Sequence, residues 1–180
     1  ISLNIDLNLE NFQDLYDFIY REQIELVVVG PEKPLVAGLV DFLESKNIKV
    51  FGPRKKVAQL EGSKIFTKQI CEKFNIPTAK FKICKSKEDA FVFLSSSNFP
   101  LVVKADVLAA GKGVYICQNV DEAKTAVNEI FDGKFGKADQ VLIEEFLEGD
   151  EMSFFIISDG ISYKTFNTAQ DHKRVGEGDT

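Results

Sequence analysis

Two short runs, Leu26-Val27-Val28-Val29 and Ile48-Lys49-Val50-Phe51, each break off at a Gly-Pro pair, and a helix-period segment lies between them. No other feature limits the fold as much. Short β-branched runs bounded by turn residues read as buried parallel strands. Leu35, Leu39, Val40 and Leu43 supply the apolar face of one intervening helix, and Phe12, Leu15, Tyr16 and Ile19 supply that of a helix before it. Strand, helix and strand joined by tight loops make a βαβ unit of an open parallel sheet. Ligands of such sheets bind beyond the carboxyl ends of the strands, which puts Gly30-Pro31-Glu32 and Gly52-Pro53 at a binding edge.

The pattern changes near residue 60. Gly62-Ser63 opens an amphipathic helix carrying Ile65, Phe66, Ile70 and Phe74, and Asn75-Ile76-Pro77 closes it. Strands are predicted at Phe81–Cys84, Leu101–Lys104, Val114–Cys117, Val141–Glu144, Ser153–Ile157 and Ile161–Phe166. Ser86 to Asp89 resembles a capping box ahead of a helix with Phe91, Val92 and Leu94. Residues from Asp121 to Phe131 are helical in period, with Ala123, Ala126, Val127 and Ile130 on one face. Asp159-Gly160 is a hairpin turn signal. This second part reads as α+β with antiparallel pairing.

A balance of 44% hydrophobic and 28% charged residues excludes a disordered chain, a collagen-like repeat and a coiled coil. The net charge of −6 argues against a whole-domain nucleic-acid binder, and no nucleic-acid partner is expected. It leaves room for a small anion held by a few lysines. Cys71, Cys84 and Cys117 form no CxxC pair and read as buried free thiols in a reducing compartment. No run is long enough to span a membrane and no signal peptide is recognisable, so a cytoplasmic protein is expected. A start at Ile1 and a polar end at Gly178-Asp179-Thr180 suggest a piece of a longer chain.

Three segments could carry chemistry. Between Lys104 and Val114 a strand ends at a lysine, a small-residue loop follows, and a new strand begins. Gly111 and Gly113 let backbone amides approach an anion, and Lys104 and Lys112 add charge, as a polyphosphate site requires. It is not a Walker A loop, because a strand rather than a helix follows. Read alone, an exposed glycine hairpin fits equally well. From Glu144 to Glu151 a strand delivers two carboxylates, then Phe146-Leu147, then more acid. An apolar slot beside backbone polar groups suits an adenine, and a solvated acidic turn is the plainer reading. From Gln170 to Asp179 charges of both signs alternate with glycines, as in a loop gripping a polar substrate. His172 is assigned no proton transfer.

In order, Val29 to Gly38, Gln59 to Lys64, Phe66-Thr67-Lys68, the lysine–glycine loop, Glu144 to Leu147 and Gln170 to Gly176 resemble the phosphoribosylamine–glycine ligases, or glycinamide ribonucleotide synthetases, of the ATP-grasp superfamily. The resemblance spans nearly the whole chain. It implies an α/β fold: a partial open parallel-sheet N-terminal (pre-ATP-grasp) domain over residues 1–60, followed by a partial α+β ATP-grasp domain over 61–180, with a lid subdomain at about 81–143. It implies ATP-dependent joining of glycine to 5-phosphoribosylamine in purine biosynthesis, through a glycyl phosphate.

Residue by residue, Lys64 and Lys104 resemble the phosphate-binding lysines, and Gly111, Lys112 and Gly113 the loop over the triphosphate. Glu144, Glu145, Phe146 and Leu147 resemble the adenine hinge, with Glu145 and Leu147 acting through backbone groups, and Glu151 resembles the ribose-binding acid. Glu32, Asp171, Lys173 and Arg174 are implied substrate contacts, and Lys104, Lys173 and Arg174 are implied to serve the chemistry. Magnesium ligands are expected beyond residue 180, so the piece alone is expected to be inactive; fusion to other purine enzymes is open. Val107 stands where the family has glycine. Another ATP-grasp carboxylate–amine ligase and a non-catalytic nucleotide-binding module are the competing readings.

Overall fold

A computed structural model of the chain describes residues 3–108 and 112–170. They fall into two compact units, one within 1–146 and one within 147–180.

The first unit opens with helix α1 (Phe12–Arg21), capped by the Asn11 side chain accepting from the Asp14 amide. Strand β1 (Val27–Val28) pairs in parallel with β2 (Val50–Phe51), as the βαβ reading requires. The single helix expected between them is two, α2 (Glu32–Ala37) and α3 (Leu39–Ser45). Gly38 separates them at φ 102°, a left-handed conformation that glycine adopts without a Cβ penalty. The expected face survives the break, since Leu39, Val40 and Leu43 are buried with Ile19 and Val29, and Leu35 packs against them. The strands are not buried on both faces. Val27, Val29 and Val50 turn to this core, whereas Val28 and Phe51 are exposed, because successive strand residues alternate faces.

Helix α4 (Lys55–Gly62) was not legible as a helix. Only Ala58 of it is buried, so it has no apolar stripe to read. It packs on α2. Ser63 ends α4 and caps α5 (Lys64–Phe74), its hydroxyl accepting from the Phe66 amide. Asn75 closes α5 in the left-handed region, as its position predicts. The buried side of α5 is a correction: Ile65 and Lys68 are buried, while Phe74, expected on the apolar face, is exposed.

The remaining elements are β3 (Phe81–Cys84), α6 (Lys87–Ser95), β4 (Leu101–Ala105), β5 (Val114–Cys117), α7 (Val120–Phe131) and β6 (Val141–Glu145). The four strands form one antiparallel sheet in the order β3-β6-β4-β5. Leu101, Val103 and Ala105 of β4 and Val141 and Ile143 of β6 share a core with Ala90, Leu94, Ala123, Ala126, Val127 and Ile130 of α6 and α7. By the two-residue period, Val102, Lys104, Leu142 and Glu144 point to the opposite face. The register aligns Lys104 with Leu142 and Val102 with Glu144, so Lys104 and Glu144 are diagonal neighbours on that face.

In the second unit β7 (Met152–Ser153) pairs with β10 (Ala169–Gln170), and β8 (Ile156–Ser158) with β9 (Tyr163–Thr165), all antiparallel. The strand expected at Ser153–Ile157 is therefore split, because its two ends have different partners. The Asp159-Gly160 turn is present, with the Asp159 carboxylate accepting from the amides of Ile161 and Ser162 at 2.9 and 2.7 Å.

Candidate functional site

Lys104 stands near the carboxyl end of β4, on the face away from the two helices. Its ammonium donates to Glu144 Oε2 at 2.8 Å. The other carboxylate oxygen, Oε1, lies 3.3 Å from Lys68 Nζ of α5. Glu144 and Lys68 are buried, whereas the Lys104 side chain is 25% exposed. An ammonium carries three donor protons. The Lys68 ammonium donates to Thr78 Oγ1 at 2.6 Å and to the Ala79 carbonyl at 3.2 Å, and forms an ion pair with Glu144 Oε1 at 3.3 Å. The group also sits 5.4 Å from the centre of the Phe81 ring. Two ammoniums on one carboxylate leave a net positive charge, and of the two Lys104 is the one that solvent or a ligand reaches.

The amino end of α5 meets the end of β4. Asp106 accepts from the Ser63 hydroxyl at 2.9 and 3.1 Å and from the Ile65 amide at 3.1 Å. Lys64 Nζ donates to the Val107 carbonyl at 3.3 Å. Lys64 and Lys104 thus both reach the same end of β4. Val107 packs against the sheet core, which gives this side chain a place although a smaller residue was expected there. The Ala105 amide donates to the Gly113 carbonyl at 2.8 Å and extends the β4–β5 pairing into the turn that holds exposed Lys112. Gly111 lies outside the described residues.

Glu145 leaves the sheet beside Lys80. Its amide donates to the Lys80 carbonyl at 3.0 Å, and the Lys80 amide turns to its carboxylate at 2.8 Å. Phe146 follows, half-buried. The Glu144 carboxylate lies between Lys104 of β4 and Lys68 of α5. Leu147 and Glu151 belong to the second unit and are exposed. Glu32 is exposed in the first turn of α2, at the carboxyl end of β1. Asp171, His172, Lys173 and Arg174 lie outside the described residues. Thr78 was not singled out in the sequence, and Lys68 and Asp106 lie inside motifs quoted there without a role of their own. A lysine one turn beyond Lys64, on the same helix face as buried Ile65, is the signal that could have found Lys68.

Residues 62–180 match the family model for phosphoribosylglycinamide synthetase, ATP-grasp (A) domain, and residues 1–61 match the one for phosphoribosylglycinamide synthetase, N domain. The chain belongs to the phosphoribosylglycinamide synthetase family. It is 49% identical over 177 residues to a phosphoribosylamine–glycine ligase of Rhizobium meliloti, a match covering 98% of this chain and 42% of that protein. It thus spans about two fifths of the length of that curated relative. A crystal structure of phosphoribosylamine–glycine ligase from Thermotoga maritima superposes with a TM-score of 0.74 at 33% identity, covering 87% of this chain and 38% of that one. The biotin carboxylase domain of a Hydrogenobacter thermophilus 2-oxoglutarate carboxylase, solved with MgADP, ADP and bicarbonate, shares the fold. Its TM-score is 0.71 at 24% identity, covering 92% of this chain and 39% of that one. The family resemblance read from the ordered motifs and the α/β, ATP-grasp fold class therefore hold.

Among the described residues of this family member, no cluster of His, Cys, Asp or Glu could hold a metal ion, and no magnesium ligand is assigned to them. No helix among them is long and apolar enough to cross a membrane. Cys84 and Cys117 are buried free thiols as expected, whereas Cys71 is half-buried.

Proposed function

We propose that the protein carrying this chain joins glycine to 5-phosphoribosylamine at the expense of ATP, giving glycinamide ribonucleotide, ADP and phosphate, in the cytoplasm. A carboxylate is a poor electrophile. Its oxygen attacks the γ-phosphorus of ATP and ADP leaves; the amine then attacks the glycyl carbonyl carbon of the acyl phosphate and inorganic phosphate leaves. The protein's part in the first step is positioning and charge stabilisation. The observation that carries this reading is Lys104, held by Glu144 at a strand end with net positive charge, in a chain matching both family domains in order.

In this reading Lys64 and Lys104 take the ATP phosphates, and the turn with Lys112 and Gly113 covers them as part of a lid at about residues 81–143. The carbonyl of Glu145, the Phe146 side chain and the Leu147 backbone hold adenine, and Glu151 binds ribose. Glu32, Asp171, Lys173 and Arg174 contact substrate, the last two nearest the chemistry. The domain boundary lies at residues 60–61. Magnesium, when bound, neutralises phosphate charge, and its ligands come from outside the described residues.

The test uses a protein of full family length containing this chain, with ATP, magnesium, glycine and phosphoribosylamine, and follows phosphate release. Glycine-dependent release is expected, and Lys104→Met should lower turnover by about tenfold or more, roughly 1.4 kcal/mol of transition-state stabilisation. Absence of glycine-dependent release overturns the ligase assignment. Release driven by another carboxylate moves the protein to a different ATP-grasp ligase. Full turnover in Lys104→Met removes the phosphate site from this lysine.

A further inference from the structure

We infer that Lys68 is a positioning residue that fixes the Glu144 carboxylate, and through it aims the Lys104 ammonium at its ligand. The inference rests on the reading of Lys104 as a phosphate-binding group and extends it to a residue that touches no substrate. Burying an ammonium is costly unless it is paired with an opposite charge and hydrogen-bonded. Lys68 is compensated by hydrogen bonds to Thr78 Oγ1 at 2.6 Å and the Ala79 carbonyl at 3.2 Å and by the opposite charge of Glu144, whose Oε1 lies 3.3 Å away. Two acceptors from one segment and an ion-pair partner from β6 hold this ammonium in one place, and the Phe81 ring closes another side.

The consequence falls on Glu144. With Oε1 drawn toward Lys68, the carboxylate presents Oε2 to Lys104, at 2.8 Å. Without Lys68 both oxygens would turn to Lys104. The ammonium would be held more tightly, would lose its surplus positive charge to the carboxylate, and would be drawn toward the sheet. Lys68 thus keeps Lys104 attached yet available. A cation whose only task was to neutralise Glu144 would be redundant, since Lys104 already does so.

The experiment compares wild type, Lys68→Met, Thr78→Val and Lys104→Met in a protein of full family length containing this chain. Thr78→Val removes one anchor of Lys68 without changing charge, and because Thr78 is itself exposed it perturbs the fold less than Lys68→Met. Turnover is expected to fall about tenfold in Lys68→Met and about threefold in Thr78→Val, with KM for ATP changed less than either. In a Lys104→Met background carried with Glu144→Gln, so that no buried carboxylate is left without a cation, Lys68→Met should cost nothing further, because it acts through Lys104. An additional tenfold loss in that background would mean Lys68 supports the fold generally and overturns the inference.

A second readout is independent of catalysis: the rate at which an amine-acylating reagent modifies Lys104, followed by mass spectrometry. It should drop severalfold in Lys68→Met and less in Thr78→Val. An unchanged acylation rate in both overturns the positioning role even if activity falls. A slowed rate with wild-type turnover in Lys104→Met keeps the positioning role and rejects the phosphate reading instead. If Lys68→Met fails to fold, Thr78→Val decides alone, and wild-type values in both readouts overturn the inference.

Discussion

Asp106 caps a helix to which it does not belong. Its carboxylate accepts from the Ile65 amide in the first turn of α5 and from the hydroxyl of the cap residue Ser63, so the end of β4 and the start of α5 are fastened at one point. A negative group at a helix amino terminus satisfies an otherwise unpaired amide and complements the helix dipole. Asp106→Ala should therefore cost about 1 kcal/mol of stability, within the range for lost helix caps. Urea denaturation checks it; a change within about 0.3 kcal/mol would mean that Ser63 alone suffices as cap. At this scale the sequence is readable where chemistry and local position coincide. Lys64 at a helix start and Lys104 at a strand end stand out for that reason. Lys68 does not, because a lysine in mid-helix reads as a solvated side chain until β3 and β6 bring Ala79 and Glu144 to it. The ion pairs of Glu144 were not legible either, since an acidic residue closing a strand gives no hint that it lies between two lysines.

Among the elements, those with an internal period were legible and those defined by contacts were not. Helix α7 places Ala123, Ala126, Val127 and Ile130 on one face, and the structure buries all four. Helix α4 has no such stripe and depends on packing against α2. The break between α2 and α3 hinges on the left-handed Gly38, and a single glycine in a helical pattern does not announce its conformation. Strands β3 and β5 each end on a cysteine buried beneath α6 and α7, and burial raises both thiols from the ordinary 9.0 to about 11. The causes are loss of solvation and, secondarily, the carboxylates of Asp89 near Cys84 and Glu122 near Cys117. With the folded value above the unfolded one, the unfolded thiols ionise first as pH rises. The contribution is complete below about pH 9 and is lost as pH climbs through about 11. Denaturant midpoints measured from about pH 8 to about pH 10.5 should thus fall more steeply in wild type than in Cys84→Ala/Cys117→Ala. Parallel slopes would place both thiols in solvent contact.

Across the whole molecule, the two units differ in how their hydrogen-bonded strands are protected. In the first, β4 and β6 are central strands of a four-stranded sheet covered by α6 and α7, and Val103, Ala105, Val141 and Ile143 are fully or almost fully buried. In the second, β7 with β10 and β8 with β9 form two separate two-stranded sheets, and every described residue except Ser153 is exposed. An isolated two-stranded pair is marginal in water, since one ladder of hydrogen bonds cannot offset the conformational entropy of ordering its residues. Phe154, Phe155, Ile156, Ile161 and Phe166 carry ample apolar surface, but surface that stays exposed contributes nothing from the hydrophobic effect. Opening free energy should follow this division. Hydrogen exchange on the 180-residue chain should find the amides of Val103 and Ile143 at least about a hundredfold more protected than those of Ile157 and Lys164. The comparison is internal to one sample, so pH and temperature affect both sets alike. Equal protection would require the β8–β9 ladder to open only with the core, which would mean that Ile156, Ile161 and Phe166 are packed against other residues in solution and that the exposure of this unit is not the state the chain adopts.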